Sequence, residues 1–250
     1  RRDFTVNAMA YSPRTGLLDP MGGQADLACG RIRCVGLPDR RFAEDGLRVL
    51  RAARFASALG MEIEAETAAA MRRALPALRQ TAPERIRAEL TGLLCGPDAG
   101  RVLAQQADVA AAVLPELRPL FGFAQHNAHH DRDVWRHTLA VVDAVPPEPV
   151  LRWAALLHDV CKPACFTLGP DGVGHFYGHA EAGAQTAGAV LSRLRFDTAG
   201  RAQIAALIRW HDTPLVPERR AVRRLLRRLG EDTVRRLLQL RAADIRGQAP

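Results

Sequence analysis

Apolar residues recur at helical spacing along most of the chain after Phe42. The stretch EDGLRVLRAARFASALG places Leu50, Phe55 and other apolar residues on one face and reaches a natural helix stop at Gly60. The same period predicts further helices over 63–75, 83–94, 133–145, 150–160, 179–194, 199–210, 219–229 and 231–246. The segment VPPEP (145–149) interrupts this pattern. The sequence therefore predicts a mainly α fold.

The first 36 residues follow a different pattern. A Gly-Gly turn and a short β-branched run between Ile32 and Val35 predict a β-containing region at 1–36. We expect a helical neck at 37–97 and a helical body at 98–250. All eight histidines lie between His126 and His211, in that body. Its stretch TLGPDGVGHFYGHA predicts a glycine-rich loop or a small hairpin.

Composition narrows the possible partners and compartments. The formal net charge is +8, and almost all of the basic residues are arginine, which favours a polyanionic partner; a general compositional bias toward arginine is the alternative. Aromatic residues make up only 5%, so stacking of bases on aromatic platforms is not expected to dominate any RNA contact. Five cysteines without a CxxC pair support neither a disulfide framework nor a zinc ribbon and fit a reducing cytoplasm. No apolar run reaches about 18 residues, so no membrane span is expected.

The first cluster that could carry chemistry is Glu44, Asp45 and Arg48. On a helix, Asp45 and Arg48 share one face, and the simplest interpretation is an acidic first turn with an ion pair. The functional interpretation is base selection, because a carboxylate only accepts hydrogen bonds and a guanidinium only donates them. Cytosine and adenine offer an amine beside a ring nitrogen, whereas uracil and guanine offer a carbonyl there. Arg51 and Arg54 continue the ridge and could neutralise a triphosphate, or form a solvated basic face.

The second cluster is the pair His158-Asp159 at the end of an apolar helix. With His137 upstream and Asp244 far downstream, it forms a mixed nitrogen and oxygen set that suits a divalent metal. A lone His-Asp dipeptide is more often a helix-end histidine than a ligand pair. His179 and His211 could extend the site to a second metal, with ordinary polar contacts as the alternative. The remaining histidines are expected on the surface or in loops: His126, His129, His130 and His175.

The third feature is the arginine-rich stretch between Glu218 and Arg241, which contains nine arginines. The expected buried side consists of Leu225, Leu226, Leu229, Val234, Leu237, Leu238 and Leu240. One interpretation is a pair of amphipathic core helices with a solvated basic face. The other is a surface that follows the backbone phosphates of tRNA, with binding that weakens steeply as salt rises.

Four motifs occur in order at separations that resemble those of one family: RRDFTVNAMAY, DPMGGQADL, FAEDGLRVLRAARFA and PERIRAEL. The chain resembles the bacterial class II CCA-adding tRNA nucleotidyltransferases and poly(A) polymerases. The resemblance implies that Arg2 and Asp3 contact the sugar and phosphates of the incoming nucleotide. It further implies that the helix of Asp45, Arg48, Arg51 and Arg54 acts as an amino-acid template for C and A. Asn7 and Glu44 would support this site, and the ERIRAEL helix would buttress it.

The histidine-rich body resembles an HD-type metal-dependent phosphohydrolase domain over about 126–246. In that family the four residues that bind the metal correspond here to His137, His158, Asp159 and Asp244. The family usually has glycine where this chain has Cys161, and a required positive φ there would strain the loop. The implied architecture is a small β-containing remnant of a nucleotidyltransferase head, a helical neck and a helical HD-type body. The mixed ligand set does not select one metal.

The same resemblance implies what the chain lacks. The metal-binding carboxylates of nucleotidyl transfer lie N-terminal to the Arg-Arg-Asp segment in this family, so none is expected here and the chain is expected to be a fragment. Its parent would use Mg²⁺, ATP and CTP, and would add CMP and AMP to the acceptor arm of tRNA in the cytoplasm. Three alternatives stay open: an A-only poly(A) polymerase, a metal-dependent phosphohydrolase acting on phosphomonoesters or cyclic phosphates, and a non-catalytic RNA-binding module.

Overall fold

The computed structural model describes residues 2–125 and 132–248, and it is mainly helical. The chain falls into two compact units, Arg1–Pro115 and Glu116–Pro250. Residues 98–115, which the sequence pattern assigned to the body, therefore lie in the first unit. His126, His129 and His130 lie outside the described residues. No helix in the described part of the chain has the length and hydropathy to cross a bilayer.

The first unit combines short strands with helices. Its strands are β1 (Ala10–Ser12), β2 (Gly16–Leu18), β3 (Arg31–Ile32) and β4 (Glu62–Ile63). Its helices are α1 (Gly23–Ala28), α2 (Pro38–Glu44), α3 (Arg48–Leu59), α4 (Ala65–Arg73), α5 (Leu75–Leu78), α6 (Pro83–Leu94), α7 (Ala99–Gln105) and α8 (Ala107–Val113). A 3₁₀ helix, Thr5–Asn7, precedes β1. β1 and β2 form an antiparallel hairpin, whereas β3 pairs with β4 in parallel.

Helix α3 forms the centre of the first unit. Its face of Ala52, Ala53 and Ala56 is buried, and these small side chains allow close packing against neighbouring elements. Gly60 ends the helix in the left-handed conformation, with φ of 66°. The Ser57 hydroxyl donates a hydrogen bond to the carbonyl oxygen of Leu93 at 2.7 Å, and this bond links α3 to α6. Helix α6 is therefore held against α3 at Ser57, which lies C-terminal to the template residues Arg48, Arg51 and Arg54.

The second unit is a bundle of helices. It contains α9 (Val134–Ala144), α10 (Pro149–Leu157), α11 (His179–Arg193), α12 (Thr198–Trp210), α13 (Arg219–Leu229) and α14 (Glu231–Gln248). Short 3₁₀ helices span Pro115–Leu120 and Pro163–Cys165. Strands β5 (Thr167–Leu168) and β6 (Gly174–His175) form the small hairpin that the glycine-rich stretch allowed. Asp133 and Asp197 cap α9 and α12 through backbone N–H groups at 2.7 and 2.8 Å.

The helices predicted after residue 62 are present, with ends that differ from the expected ones by a few residues. One prediction is wrong: Asp45 and Arg48 do not share a helix. Helix α2 ends at Glu44, Asp45 is extended with φ of −156°, and α3 begins at Arg48. The sequence pattern also missed the helices α1, α2, α5, α7 and α8.

One smaller expectation was also wrong, and the condition under which Cys161 would strain its loop is not met. Leu238, assigned to a buried side, is 52% exposed, and α13 has no buried residue at all. Cys161 does not require a positive φ, because Arg195 is the only non-glycine residue with positive φ among those described. The Cys161 thiol is buried and lies 3.2 Å from the Thr186 hydroxyl. All five cysteines are free.

Candidate functional sites

The segment that starts the chain is fixed by backbone pairing inside the first unit. Phe4 forms an antiparallel bridge with Cys34, and the N–H of Val35 donates to the carbonyl of Asp3 at 3.0 Å. The Phe4 ring is fully buried and meets Phe55 of α3 edge-on at 5.7 Å. Asn7 accepts the N–H of Phe4 at 3.1 Å. These contacts hold the Asp3 carboxylate beside α3.

Asp3 joins two arginines of α3. Its two oxygens accept from Arg48 Nε at 2.8 Å and from Arg51 Nε at 2.6 Å. Glu89 of α6 accepts from Arg51 Nη1 at 3.3 Å and from Arg54 Nε at 2.5 Å. The α6 helix, ERIRAEL in sequence, therefore contacts α3 as expected. The network arranges charges of alternating sign across three segments of the chain.

These pairings modify the predicted roles of the arginines. Arg51 and Arg54 do not form a solvated basic face, because both are engaged by carboxylates and only 29% and 26% exposed. Arg2, in contrast, is exposed, and no ion pair is found for it within the described ranges. Glu44 contacts Arg48 Nη1 at 2.5 Å and Arg41 Nη1 at 3.1 Å, so it lies next to the site.

The Asp45 carboxylate is oriented by two fixed donors. The N–H of Leu47 donates to Oδ1 at 3.1 Å, and Arg85 of α6 donates to Oδ2 at 2.8 Å. Partial burial acts to raise the pKa of Asp45. The two hydrogen bonds and the charges of Arg85 and Arg48 together outweigh that effect, so the pKa lies below its usual value. Asp45 is therefore an ionised acceptor at neutral pH.

Arg48 is complementary to this acceptor. Its Nε is bound to Asp3, and its Nη1 is bound to Glu44 and to the Arg41 carbonyl. Among the described residues, no acceptor is found for its Nη2. A fixed acceptor at Asp45 and a spare donor at Arg48 match the amine and ring nitrogen of cytosine or adenine. The structure assembles this pair from a loop and a helix start instead of from one helical face.

The second site lies in the second unit, where four predicted ligands converge. His137 comes from α9, His158 and Asp159 follow α10 directly, and Asp244 comes from α14. His137 Nε2 lies 3.0 Å from Asp244 Oδ1, 3.3 Å from His158 Nε2 and 3.5 Å from Asp159 Oδ2. His158 Nε2 lies 3.1 Å from Asp159 Oδ2. All of these atoms belong to side chains at most 17% exposed.

His179 and His211 approach the other oxygen of Asp159. Each Nε2 lies 3.6 Å from Asp159 Oδ1, and the two Nε2 atoms are 3.2 Å apart. His179 is the first residue of α11, and His211 follows the last residue of α12. Asp159 therefore faces one imidazole pair with each oxygen, and the four histidines form two groups of potential metal ligands that share Asp159.

The backbone fixes the tautomer of three of these histidines. The Nδ1 atoms of His158, His179 and His211 lie 2.6–2.8 Å from the carbonyls of Ala155, Phe176 and Ile208. A carbonyl can only accept, so each Nδ1 carries the hydrogen and each Nε2 presents a lone pair unless a proton or a metal ion binds it. Burial lowers the pKa of His179, and the facing His211 lowers it further, which favours the unprotonated ring.

The residues present fit a divalent cation. Both oxygens of Asp159 are fully buried and accept no hydrogen bond of ordinary geometry within the described ranges. Two nitrogens bound to one metal ion at about 2.0–2.1 Å lie about 3.0–3.4 Å apart, and the Nε2 pairs here are 3.3 and 3.2 Å apart. Burial acts to raise the pKa of Asp159, but His158 and Lys162 lower it well below its usual range. The carboxylate is therefore ionised and available to a metal.

Lys162 is a member of this site that the sequence pattern did not single out. Its Nζ lies 2.8 Å from Asp159 Oδ2 and donates to Gln125 Oε1 at 3.1 Å, and the residue is only 7% exposed. A lysine three residues after the His-Asp pair was the available signal. Arg85 and Glu89 belong to the ERIRAEL helix that was expected to buttress the template, but their individual contacts were not predicted, because only tertiary packing brings them to it. His175, expected in a loop, lies in β6 and stacks on Tyr177.

Three family models match the chain in succession. The poly A polymerase head domain matches 1–33, the probable RNA and SrmB-binding site of polymerase A matches 60–121, and the HD domain matches 128–246. The HD match includes all four predicted ligands and both additional histidines.

Curated relatives match almost the whole chain. An A-adding tRNA nucleotidyltransferase of Deinococcus radiodurans is 38% identical over 98% of this chain and 58% of its own length. A multifunctional CCA protein of Halorhodospira halophila is 40% identical over 84% of this chain and 52% of its own length. A CC-adding tRNA nucleotidyltransferase of Thermus thermophilus is 36% identical over 98% and 58%. The chain thus spans between half and three fifths of the length of these relatives.

Solved structures support the fold. The Bacillus stearothermophilus CCA-adding enzyme in complex with CTP superposes with a TM-score of 0.66 at 24% identity, covering 97% of this chain and 53% of that one. The Thermotoga maritima CCA-adding enzyme complexed with tRNA gives 0.56 at 20% identity, covering 100% and 56%. Together with the ordered family matches, these findings show that the chain belongs to the class II CCA-adding enzyme and poly(A) polymerase family that carries an HD domain.

Proposed function

We propose that the first unit selects the incoming nucleotide for a tRNA nucleotidyltransferase that adds CMP and AMP to tRNA 3′ ends. The observation that carries the proposal is the Asp45 carboxylate, which Leu47 N–H and Arg85 orient and whose pKa the charge of Arg48 helps to lower. Asp3 contributes by fixing Arg48 and Arg51, so that the guanidiniums are positioned before a nucleotide arrives. Relatives named as A-adding, CC-adding and CCA enzymes support the reaction class.

The carboxylates of nucleotidyl transfer and their Mg²⁺ stay predictions from the family resemblance, as does the cytoplasmic location. Within the family, CCA addition and A-only addition use the same template chemistry. The two activities are distinguished by assaying the parent enzyme with tRNA substrates that lack the terminal A, CA or CCA. Labelled CTP incorporation is expected for CCA addition and is absent for A-only addition.

Nucleotide binding to this chain tests the proposed selection directly. Isothermal titration with CTP, ATP, UTP and GTP is expected to give at least about tenfold tighter binding of CTP and ATP, because a mismatched base leaves Asp45 or Arg48 without its partner. Asp45→Asn keeps the shape but adds a donor, and it is expected to remove the preference. Asp39→Asn is the matched control, because Asp39 forms an exposed pair with Arg73. Equal binding of all four nucleotides would contradict the proposal.

The second unit supports a second candidate function, a metal-dependent phosphohydrolase. His137, His158, Asp159 and Asp244 would hold one divalent ion, and Asp159, His179 and His211 would hold another beside it. A bound divalent ion would supply Lewis-acid polarisation of a phosphoryl oxygen and would lower the pKa of bound water. Lys162 places a buried ammonium next to Asp159, where it can also balance charge on a phosphate.

Metal binding and hydrolysis are tested separately. Mn²⁺, Ni²⁺ and Co²⁺ are titrated calorimetrically, and hydrolysis of a phosphomonoester and of a 2′,3′-cyclic nucleotide is then followed with each metal. Asp159→Asn is expected to lower metal affinity by 10-fold or more and to abolish any hydrolysis. Glu231→Gln removes a carboxylate at the exposed start of α14 and serves as the control. Metal binding without turnover would support a structural role for the ion.

A further inference from the structure

Positive charge in this chain is concentrated in one helix. The eleven residues of α13, Arg219–Leu229, include six arginines and no acidic residue, a formal charge of +6. The whole chain carries +8, so the remaining residues together carry only 8 − 6 = +2. Most of the net positive charge noted in the composition therefore comes from α13.

The arginines of α13 form one surface. Arg220, Arg223, Arg224 and Arg227 follow steps of three and four, so they lie on one side of the helix. All four are exposed, and together with Arg228 they line an open concavity of about 540 Å³. We call the four arginines the α13 face.

The α13 face has no internal counter-charge. Several other arginines of the same unit have carboxylate partners within 3 Å: the exposed Arg193, Arg209 and Arg235 pair with Glu116, Glu181 and Glu231, and the partly buried Arg236 pairs with Glu148. For the α13 face, no carboxylate oxygen lies within 4.0 Å among residues 2–125 and 132–248. Like charges this close on a helix repel one another, and an external polyanion relieves the repulsion.

The segment that matches the RNA-binding family model has the opposite character. Residues 60–121 contain seven arginines and eight acidic residues, a net charge of 7 − 8 = −1. Contacts with phosphates release counter-ions and supply most of the affinity for nucleic acid. With its net negative charge, the 60–121 segment is poorly suited to provide this electrostatic part of the affinity, whereas the α13 face is well suited to provide it.

We propose that the α13 face binds the phosphate backbone of tRNA, as an RNA contact separate from the 60–121 segment. The inference rests on the proposed function for the identity of the RNA. Arginines spaced along about 10 Å of helix match successive phosphates, and guanidiniums form bidentate hydrogen bonds with phosphate oxygens. The contact reads charge and shape, since the face presents only guanidiniums and no acceptor for a base amine.

An anionic lipid surface is the competing ligand. Val222 of α13 is 42% exposed, and Val216 and Leu238 near it are 49% and 52% exposed. Basic helices with exposed apolar residues also bind membranes. RNA is favoured because Val222 is the only exposed apolar residue that α13 itself contributes within the described chain, against six exposed arginines.

The test measures tRNA binding by fluorescence anisotropy between about 0.05 and 0.5 M salt, because the salt dependence of the affinity reports the number of phosphate contacts. The neutralised variant changes Arg220, Arg223, Arg224 and Arg227 to glutamine, and a second variant changes the same residues to lysine. A charge-matched control changes four exposed arginines that have carboxylate partners to glutamine: Arg73, Arg193, Arg209 and Arg235. Circular dichroism establishes that each variant is folded.

The neutralised variant is expected to lose about 10²-fold in affinity near 0.1 M salt, and its salt slope is expected to fall by about 3. The matched control is expected to stay within about threefold of wild type, because it leaves the positive charge of the face in place. The lysine variant keeps that charge but loses the bidentate hydrogen bonds, so its salt slope should stay near that of wild type and its affinity should lie between those of wild type and the neutralised variant. Equal tRNA affinity and slope in the neutralised variant and the matched control would overturn the inference.

Three further outcomes distinguish this inference from the lipid alternative and from the proposed function. Loss of binding to phosphatidylserine vesicles with unchanged tRNA binding would overturn it in favour of a lipid surface. Failure of the wild-type chain to bind tRNA would overturn both this inference and the tRNA partner of the proposed function. Loss of the CTP and ATP preference with intact, α13-dependent tRNA binding would leave this inference standing and refute only the nucleotide-selecting role.

Discussion

The charge network around α3 predicts that the carboxylates of Asp3 and Glu89, which are distant in sequence, contribute cooperatively to the free energy of unfolding. Its members alternate in sign in the order Glu44, Arg48, Asp3, Arg51, Glu89 and Arg54. Arg51 is the central member, because it binds Asp3 and Glu89 with different nitrogens. Asp3→Asn and Glu89→Gln each remove one charge while keeping the size of the side chain. The double variant leaves Arg51 without any carboxylate from this network.

The magnitude follows from how deeply the network is buried. Breaking a fully buried ion pair by removing one partner costs about 3–5 kcal/mol, whereas exposed pairs contribute at most about 1 kcal/mol. The side chains of Asp3 and Arg51 are 12% and 29% exposed. We therefore expect each single variant to lower the free energy of unfolding by about 2 kcal/mol. The double variant should lose about 1 kcal/mol more than the sum of the two singles.

Urea denaturation followed by amide circular dichroism measures these changes. All three tryptophans, Trp135, Trp153 and Trp210, lie in the second unit, so their fluorescence cannot report directly on α3. Asp39→Asn serves as the control, because the Asp39–Arg73 pair is 62% and 56% exposed and should contribute less than about 1 kcal/mol. Additivity of the two singles within about 0.5 kcal/mol would show that Arg51 does not couple them and would refute this account of the network.

Three other changes probe single contacts. In Gly46→Ala, the new Cβ would lie 2.7 Å from the Ala77 carbonyl carbon, so we expect a loss of about 1–3 kcal/mol in urea denaturation, with weaker CTP binding by calorimetry. Lys162→Met leaves the buried Asp159 charge without its ammonium, so the melting temperature of the chelator-treated chain should fall, and added Mn²⁺ should restore most of it. The pKa of His179 is lowered in the folded chain, so the unfolded chain binds more protons below about pH 6.5. Thermal melts of the metal-free chain should therefore show stability falling as pH drops below 6.5 and level above it; a flat profile from pH 7.5 to 5.5 would contradict this.

The helices of the second unit were predictable because their signals are local. A 3.6-residue period ran between strong punctuation, such as the Pro146-Pro147 break before α10 and Gly230 after α13. Each predicted helix there begins and ends within three residues of the observed bounds. The convergence of His137 and Asp244 on His158-Asp159 was predicted only from motif order and family resemblance. The spacing of these residues alone does not indicate that α9 and α14 meet at the end of α10.

The prediction that Asp45 and Arg48 share one helix failed because the break between them is caused by contacts with residues distant in sequence. A periodic pattern continues through Asp45, yet the chain leaves the helical conformation there. Gly46 lies against the backbone of Ala77, where a side chain would not fit, and Arg85 holds the Asp45 carboxylate from α6. Tertiary contacts therefore set the break, and they overrode local propensity.

The same break explains how one carboxylate can be both oriented and available. On a continuous helix, Asp45 would point along the ridge toward Arg48 and could pair with it, which would consume the donor and the acceptor that a base needs. In the extended conformation, Asp45 is held instead by Leu47 N–H and Arg85, and Arg48 is held by Asp3 and Glu44. Each member is restrained by residues other than its proposed partner. A base can then bridge two groups that are already in position, without first breaking an ion pair between them.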